Sequence, residues 1–177
     1  MTCVRPFSCA SASAAPAPRP ARAVAFARLT AIDPDAIAAH MSDPRMAEHM
    51  PLLTGVAWDR AAAEAFVAAK EARWAVDGMG HQAILADGAY AGWGGFEKTG
   101  EDWDFGLVLT PAAFGLGPAA TRAALAMARA DPRIGSVTFL LPPTRARLGA
   151  LARLGARRDG EAEIDGARFL RFRLATA

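Results

Sequence analysis

Between Leu107 and Thr121 the chain reads Leu-Val-Leu-Thr-Pro-Ala-Ala-Phe-Gly-Leu-Gly-Pro-Ala-Ala-Thr: an apolar run, a glycine-bearing turn and the start of a helix. A helix start leaves backbone N–H groups without partners and carries the positive end of the helix dipole. A strand that delivers the chain to such a point makes a seat for a phosphate group. Gly115, Gly117, Ala119 and Ala120 have little or no side chain, so a ligand can approach the backbone there, with Leu116 between the glycines. Just upstream stand two acids, Glu97 and Asp104, on neighbouring predicted strands. By strand alternation Asp104, Gly106 and Val108 share one face, opposite Trp103, Phe105, Leu107 and Leu109. A carboxylate in an apolar cleft acquires the raised pKa that a general base needs. The plain alternative for both acids is a solvated charge near a hairpin.

The elements that must position these residues follow from periodicity and turn chemistry. Val24 to Leu29 reads as a first strand, and Asp33-Pro34 opens a helix that ends near Ser42-Asp43-Pro44. Arg45 to Trp58 reads as loop with a short helical piece. Asp59 caps a long helix through Trp74, with Ala63, Phe66, Val67 and Trp74 on one face. Strands follow at His81 to Ala86, Ala89 to Lys98 and Trp103 to Leu109, joined by turns at Asp87-Gly88 and Thr99-Gly100-Glu101-Asp102. The helix after the glycine turn runs to about Ala130 and stops at Asp131-Pro132. Ser136 to Leu141 is a buried strand. Thr144 caps a last helix that Gly155 closes, and strands at Ala156 to Ile164 and Arg168 to Leu174 flank a turn at Asp165-Gly166. The first three strands after the long helix form an antiparallel meander. The strand–helix–strand from Trp103 to Leu141 needs a crossover and so a parallel pair. An α/β (α+β) domain with a mixed sheet and helices on both faces is the expected architecture.

Composition bounds the function. At 177 residues, 53% hydrophobic and 21% charged, the chain is long and apolar enough for one domain with a real core. The formal charge of +2 is misleading, because Arg5, Arg19, Arg22 and Arg28 all precede the first acid, Asp33. Without those four the remaining 16 bases meet 18 acids. Nucleic acid is therefore not the expected partner. No stretch approaches the apolar length of a membrane span, so no membrane association is expected. Cys3 and Cys9 are the only cysteines and lie near the start, so no disulfide framework or cysteine-built zinc site is expected in the body. His40, His49 and His81 match no metal-site spacing, and no metal is expected. Residues 1–23, rich in Ala, Ser, Pro and Arg, read as a disordered leader or a mis-assigned start ahead of a single domain at 24–177. An organelle transit peptide has a similar composition, but Pro6, Pro16, Pro18 and Pro20 oppose its amphipathic helix. The body reads as cytoplasmic.

The element order, with a glycine turn after the fourth strand, resembles the GNAT superfamily of acyl-CoA-dependent N-acetyltransferases. The resemblance is nearest the branch that acetylates ribosomal-protein N-termini and small amines. It is carried by Asp43-Pro44-Arg45, Gly92-Trp93-Gly94-Gly95-Phe96, Phe114-Gly115-Leu116-Gly117-Pro118-Ala119 and Leu151-Ala152-Arg153-Leu154-Gly155-Ala156. Each motif is weak alone, and their order and spacing make the match specific. It implies a mostly antiparallel sheet with a V-shaped splay between strands 4 and 5, into which the pantetheine arm of coenzyme A fits.

The same resemblance implies acetyl-CoA as co-substrate and a primary amine acceptor, on a small molecule or a protein N-terminus, in a monomer or homodimer. Val108, Leu109, Thr110, Gly115, Leu116, Gly117, Ala119, Ala120 and Thr144 are the implied coenzyme-binding residues, with a backbone N–H near Val108 or Leu109 facing the oxyanion. Asp104 falls where several members carry a catalytic Glu, with Glu97 as the second candidate base. There are departures. Phe114 stands where Gln or Arg is usual, Leu116 replaces a frequent base, Pro118 removes one N–H, and Leu151 stands where many branches carry a proton-donating Tyr. Those departures leave open a coenzyme-binding module without turnover, or a protein-interaction domain that keeps the fold. His49 lies in the region that lines the acceptor site in the family. Trp58, Trp74 and Trp93 read as core or as pocket wall. The glycines around Trp93 mark a bulge or room for substrate. Arg145, Arg147, Arg153, Arg157 and Arg158 read as a solvated face or as contacts to the coenzyme's 3′-phosphate.

Overall fold

The computed structural model describes residues 22–47, 50, 57–143, 149–164 and 166–176. Seven strands form one sheet: β1 (Val24–Ala27), β2 (His81–Ala86), β3 (Ala89–Thr99), β4 (Asp102–Leu109), β5 (Ser136–Leu141), β6 (Arg157–Ile164) and β7 (Ala167–Ala175). Their order across the sheet is β1-β2-β3-β4-β5-β7-β6. Every pairing is antiparallel except β4–β5. The helices are α1 (Pro34–Met41), α2 (Pro44–Ala47), α3 (Arg60–Asp77), α4 (Gly117–Ala130) and α5 (Gly149–Leu154). This is the mixed, mostly antiparallel sheet that the sequence implies. The leader before residue 22, and the positions of His49, Thr144, Arg145, Arg147 and Asp165, lie outside the described residues.

Local chemistry explains the element ends. The Asp33 side chain accepts from the Asp35 N–H ahead of α1, and Asp59 accepts from the Ala62 N–H ahead of α3. Asp87 and Gly88 both have positive φ, 51° and 83°, which is the primed hairpin turn between β2 and β3. The long helix runs to Asp77, one turn beyond Trp74. Leu29, placed in the first strand by its apolar pattern, instead opens a short 3₁₀ turn (Leu29–Ala31) and is fully buried beneath α1 and α3.

The sheet separates two cores. On one face Phe96, Trp103, Phe105, Val137, Phe139, Phe172 and Leu174 pack with Ala124, Leu125 and Ala128 of α4. On the other, Ala83 and Trp93 pack with Leu29, Ile37, Ala38, Met41, Ala63 and Val67 from the α1–α3 side. The glycine-rich stretch of β3 does contain a bulge. Ile84 pairs with Gly92 and Leu85 with Tyr90, so Ala91 is the extra residue. That single insertion puts Tyr90 and Trp93 on the same face, both against the α1–α3 core. The space left by these glycines is filled by protein. A side chain at Gly92 would overlap the Val108 carbonyl oxygen, and one at Gly94 the Gly106 carbonyl oxygen, both on β4.

Candidate functional site

The parallel pair β4–β5 is registered at only two positions, Trp103↔Val137 and Asp104↔Thr138. β4 continues to Leu109 and β5 to Leu141 without further pairing to each other. The strands therefore part immediately after Asp104, leaving β4 with an open backbone edge toward β5. An edge of free N–H and C=O groups of this kind can take an extended amide chain as a partner strand. On the α4 side Phe105 and Leu109 are buried in apolar core, with Leu107 partly buried against it. The α1–α3 side of β4 carries the polar side chain, Asp104, next to Gly106 and Val108, and all three are only half-buried.

Asp104 thus sits at the apex of the V. Thr138 Oγ1 lies 3.1 Å from Asp104 Oδ1 and 3.3 Å from the Trp103 carbonyl. Burial pushes the Asp104 carboxyl up to about 6, Thr138 pulls it back, and the negative Glu97 and Asp102 push it further up. A carboxylate poised near neutrality is matched to proton abstraction at physiological pH. The second candidate is its cross-strand neighbour, because Glu97 pairs with Asp104 in the β3–β4 register. Glu97 is engaged: Lys70 Nζ of α3 donates to its Oε2 at 2.8 Å, with both side chains about four-fifths buried. Its Oε1 lies 3.4 Å from His81 Nδ1. The structure brings both predicted acids together and gives them different surroundings, one held by a cation and one facing the splay.

At the mouth of the V the glycine turn is not a glycine turn. Pro111–Leu116 forms a 3₁₀ helix that runs straight into α4, and Gly117 is right-handed helical with φ −45°. The reason is Pro111, which presets φ at the first position, and the Thr110 carbonyl, which takes the Ala113 N–H at 2.8 Å. Pro118 occupies the first turn of α4, where a proline fits a helix start. Leu116 supplies no capping side chain and no acid stands in the first turn, so no side chain of that turn competes for an incoming anion. A Cβ at Gly115 would meet nothing, so the backbone there opens to solvent. Ala120 and Leu109 turn buried side chains into the core, leaving only their backbones to face a ligand. These features fit a pyrophosphate at the α4 start and a pantetheine arm along β4.

Other expectations sort differently. Trp93 is buried core, stacked 5.0 Å from Phe66, and donates to Met41 Sδ at 3.3 Å. Trp74 donates to the His81 carbonyl at 2.9 Å and carries Arg28 over its ring. Leu151 is half-buried and packs on the α4-side core. Of the basic cluster, Arg153, Arg157 and Arg158 are exposed, and Arg158 pairs with Glu161 at 2.7 Å. Sequence reasoning did not place Lys70 or His81 beside Glu97. One signal was present: Lys70 is one of only two lysines in an arginine-rich chain.

A sheet of this order, opened at the parallel β4–β5 pair with a carboxylate at the apex and a helix start at the mouth, defines an acetyltransferase fold. The sequence model of the acetyltransferase (GNAT) domain matches residues 24–157, and the chain belongs to that family. Solved structures agree on the fold. An acetyltransferase from Agrobacterium tumefaciens is 21% identical with a TM-score of 0.67, over 92% of this chain and 96% of that one. RimJ from Mycobacterium smegmatis, solved with CoA-disulfide, is 19% identical with a TM-score of 0.64, over 86% and 80%. The ribosomal-protein-S5-alanine acetyltransferase from Vibrio fischeri is 13% identical with a TM-score of 0.68, over 86% and 92%.

Proposed function

We propose that this domain transfers an acetyl group from acetyl-CoA to a primary amine, on a small molecule or a protein N-terminus, with Asp104 as the general base. The observation that carries the reading is Asp104 itself: a carboxyl raised to about 6, placed where β4 leaves β5. Acetyl-CoA supplies the acyl carbon and a thiolate leaving group. The protein's work is to seat it, to unmask the amine and to meet the developing oxyanion. The backbones of Gly115, Leu116, Gly117, Ala119 and Ala120 hold the pyrophosphate, and those of Val108, Leu109 and Thr110 hold the arm, with the Val108 or Leu109 N–H toward the carbonyl oxygen. Thr144 adds a pantetheine contact, as the family resemblance implies. Asp104 takes a proton from the ammonium, the freed lone pair attacks the acyl carbon, and as the carbon–sulfur bond breaks the nitrogen's second proton passes to the departing thiolate, releasing free coenzyme A thiol. Glu97 is held by Lys70 and faces His81, so it is not the base. The domain needs no metal, works in the cytoplasm as a monomer or homodimer, and occupies residues 24–177, with residues 1–23 a disordered leader or a mis-assigned start.

Calorimetry with acetyl-CoA, followed by free-thiol release with a panel of amines (an alanine-terminated peptide, spermidine and kanamycin), tests this. Micromolar binding with amine-dependent thiol release is the expected result. Binding without turnover would instead favour a coenzyme-holding module, the reading that Leu151 at the place of a tyrosine supports. No binding would remove the coenzyme reading altogether.

A further inference from the structure

The β2 histidine reaches the site by an unusual route. His81 pairs with Gly95 of β3, and Gly95 pairs with Gly106 of β4, so two side-chain-free positions lie in a row across the sheet. The imidazole extends over this row until Nε2 stands 2.6 Å from where a Cβ on Gly106 would be. Any larger residue at 106 would strike the ring. Gly106 is two residues from Asp104 on the same face, the face left polar and half-open beside the splay. A second observation concerns the other nitrogen. His81 Nδ1 and Glu97 Oε1 are both buried without a hydrogen-bond partner within normal distance among the described residues, and they face each other at 3.4 Å. One proton on Nδ1 satisfies both atoms, as a donor to a carboxylate already fixed by Lys70. That tautomer leaves Nε2 as a bare acceptor.

We infer that His81 positions the acceptor: its neutral imidazole, oriented by Glu97 and Lys70, presents the Nε2 lone pair over Gly106 to an N–H of the incoming amine. The inference rests on the proposed acetyl transfer and deepens it. An amine that enters from the α1–α3 side must pass over Gly106 to reach both Asp104 and an acyl group lying along β4. Asp104 takes one proton, and Nε2 holds a second N–H and so aims the lone pair. The imidazole stays neutral throughout. Burial, with the nearby Lys70 charge adding, holds its pKa far below the usual value, at about 3. The ring also packs 5.1 Å from Trp93, so packing alone is the competing explanation for its presence.

The intact protein tests this with two readouts. Nitrogen-15 NMR of the histidines, without coenzyme, reads the tautomer directly, and a proton on Nδ1 with a bare Nε2 is expected. A proton on Nε2 overturns the inference whatever the enzyme does. Kinetics then use the panel amine that the wild-type protein acetylates fastest. His81→Phe keeps the packing and removes both nitrogens, and should raise the amine KM about tenfold or more, while the acetyl-CoA dissociation constant changes less than about twofold. His81→Gln, which returns an acceptor near the Nε2 position, should recover most of the loss. Gly106→Ala, which displaces the ring without touching it chemically, should mimic His81→Phe and serves if the phenylalanine variant does not fold. If His81→Phe matches wild type, or if Gln does no better than Phe, the ring is packing and the inference fails. Loss of acetyl-CoA binding in the wild-type protein would instead sink the proposed function while leaving the tautomer result standing.

Discussion

Asp104→Asn removes the charge at the apex of the V and keeps its shape, and two opposite effects should follow from the one substitution. The folded carboxyl titrates at about 6 against 3.8 for a free one. A shift of about two units at 1.36 kcal/mol each sets an upper bound of ~3 kcal/mol on what ionising this group takes from the fold. Partial contact with water reduces that to ~1–2 kcal/mol. Because the folded pKa is raised, the penalty is absent below 3.8, grows as pH climbs to about 6, and is constant above. The Asn variant should therefore gain ~1–2 kcal/mol over wild type at pH 7.5, and much less at pH 4.5, in urea denaturation. Activity should move the other way. A positioned base contributes about 10²–10⁴ in rate, so kcat/KM should drop by at least about a hundredfold. Wild-type kcat/KM should rise with pH through an apparent pKa of about 6, as Asp104 ionises, and the variant should lack that limb. A variant that keeps activity within about threefold, or that gains no stability at pH 7.5 relative to pH 4.5, would show that Asp104 is a solvated bystander.

Thr138→Val removes the hydroxyl beside Asp104 Oδ1, so the acidic limb of kcat/KM should move to higher pH, while an unchanged limb would place the base elsewhere. Gly92→Ala combines φ +148° with overlap of the Val108 carbonyl, and should destabilise the protein by ~2–4 kcal/mol in chemical denaturation. A fully stable variant would mean that β3 and β4 separate more easily than their register implies. Pro118→Gly should alter acetyl-CoA affinity by less than about threefold in calorimetry, since the proline sits where a helix start tolerates it. A tenfold gain would show that the missing N–H belongs to the phosphate seat.

Much of the fold was written in local patterns. The Asp-Gly turn at 87–88, the caps at Asp33 and Asp59, and the apolar runs at 81–86 and 136–141 depend on neighbours within a few residues, and β2 and β5 begin and end where the pattern places them. The strand–helix–strand from β4 to β5 forces a parallel pair in an otherwise antiparallel sheet, for reasons of chain reach alone. The place of Asp104 on the polar face of β4 was legible because strand alternation puts it opposite the buried Phe105. The start of α4 was legible in place but not in conformation. Small residues suggested a glycine-bearing turn, and the proline at 111 together with the Thr110 carbonyl wound the same residues into a 3₁₀ helix.

What the linear order could not show is which groups far apart in the chain would meet. Lys70 and Glu97 are 27 residues apart on a helix and a strand, and only the packing of α3 on the sheet joins them. His81 becomes part of the site because Gly95 and Gly106 fall in register beside it, and register is set by the whole sheet, including the bulge at Ala91. The raised pKa of Asp104 has the same origin: its charge is opposed by burial that no single segment creates. The sequence determined the elements and the types of group they carry, since those obey short-range sterics and hydrogen bonding. The tertiary structure decided which carboxylate is tied down and which is left facing the splay, since solvation and Coulomb forces act between groups that only folding brings together.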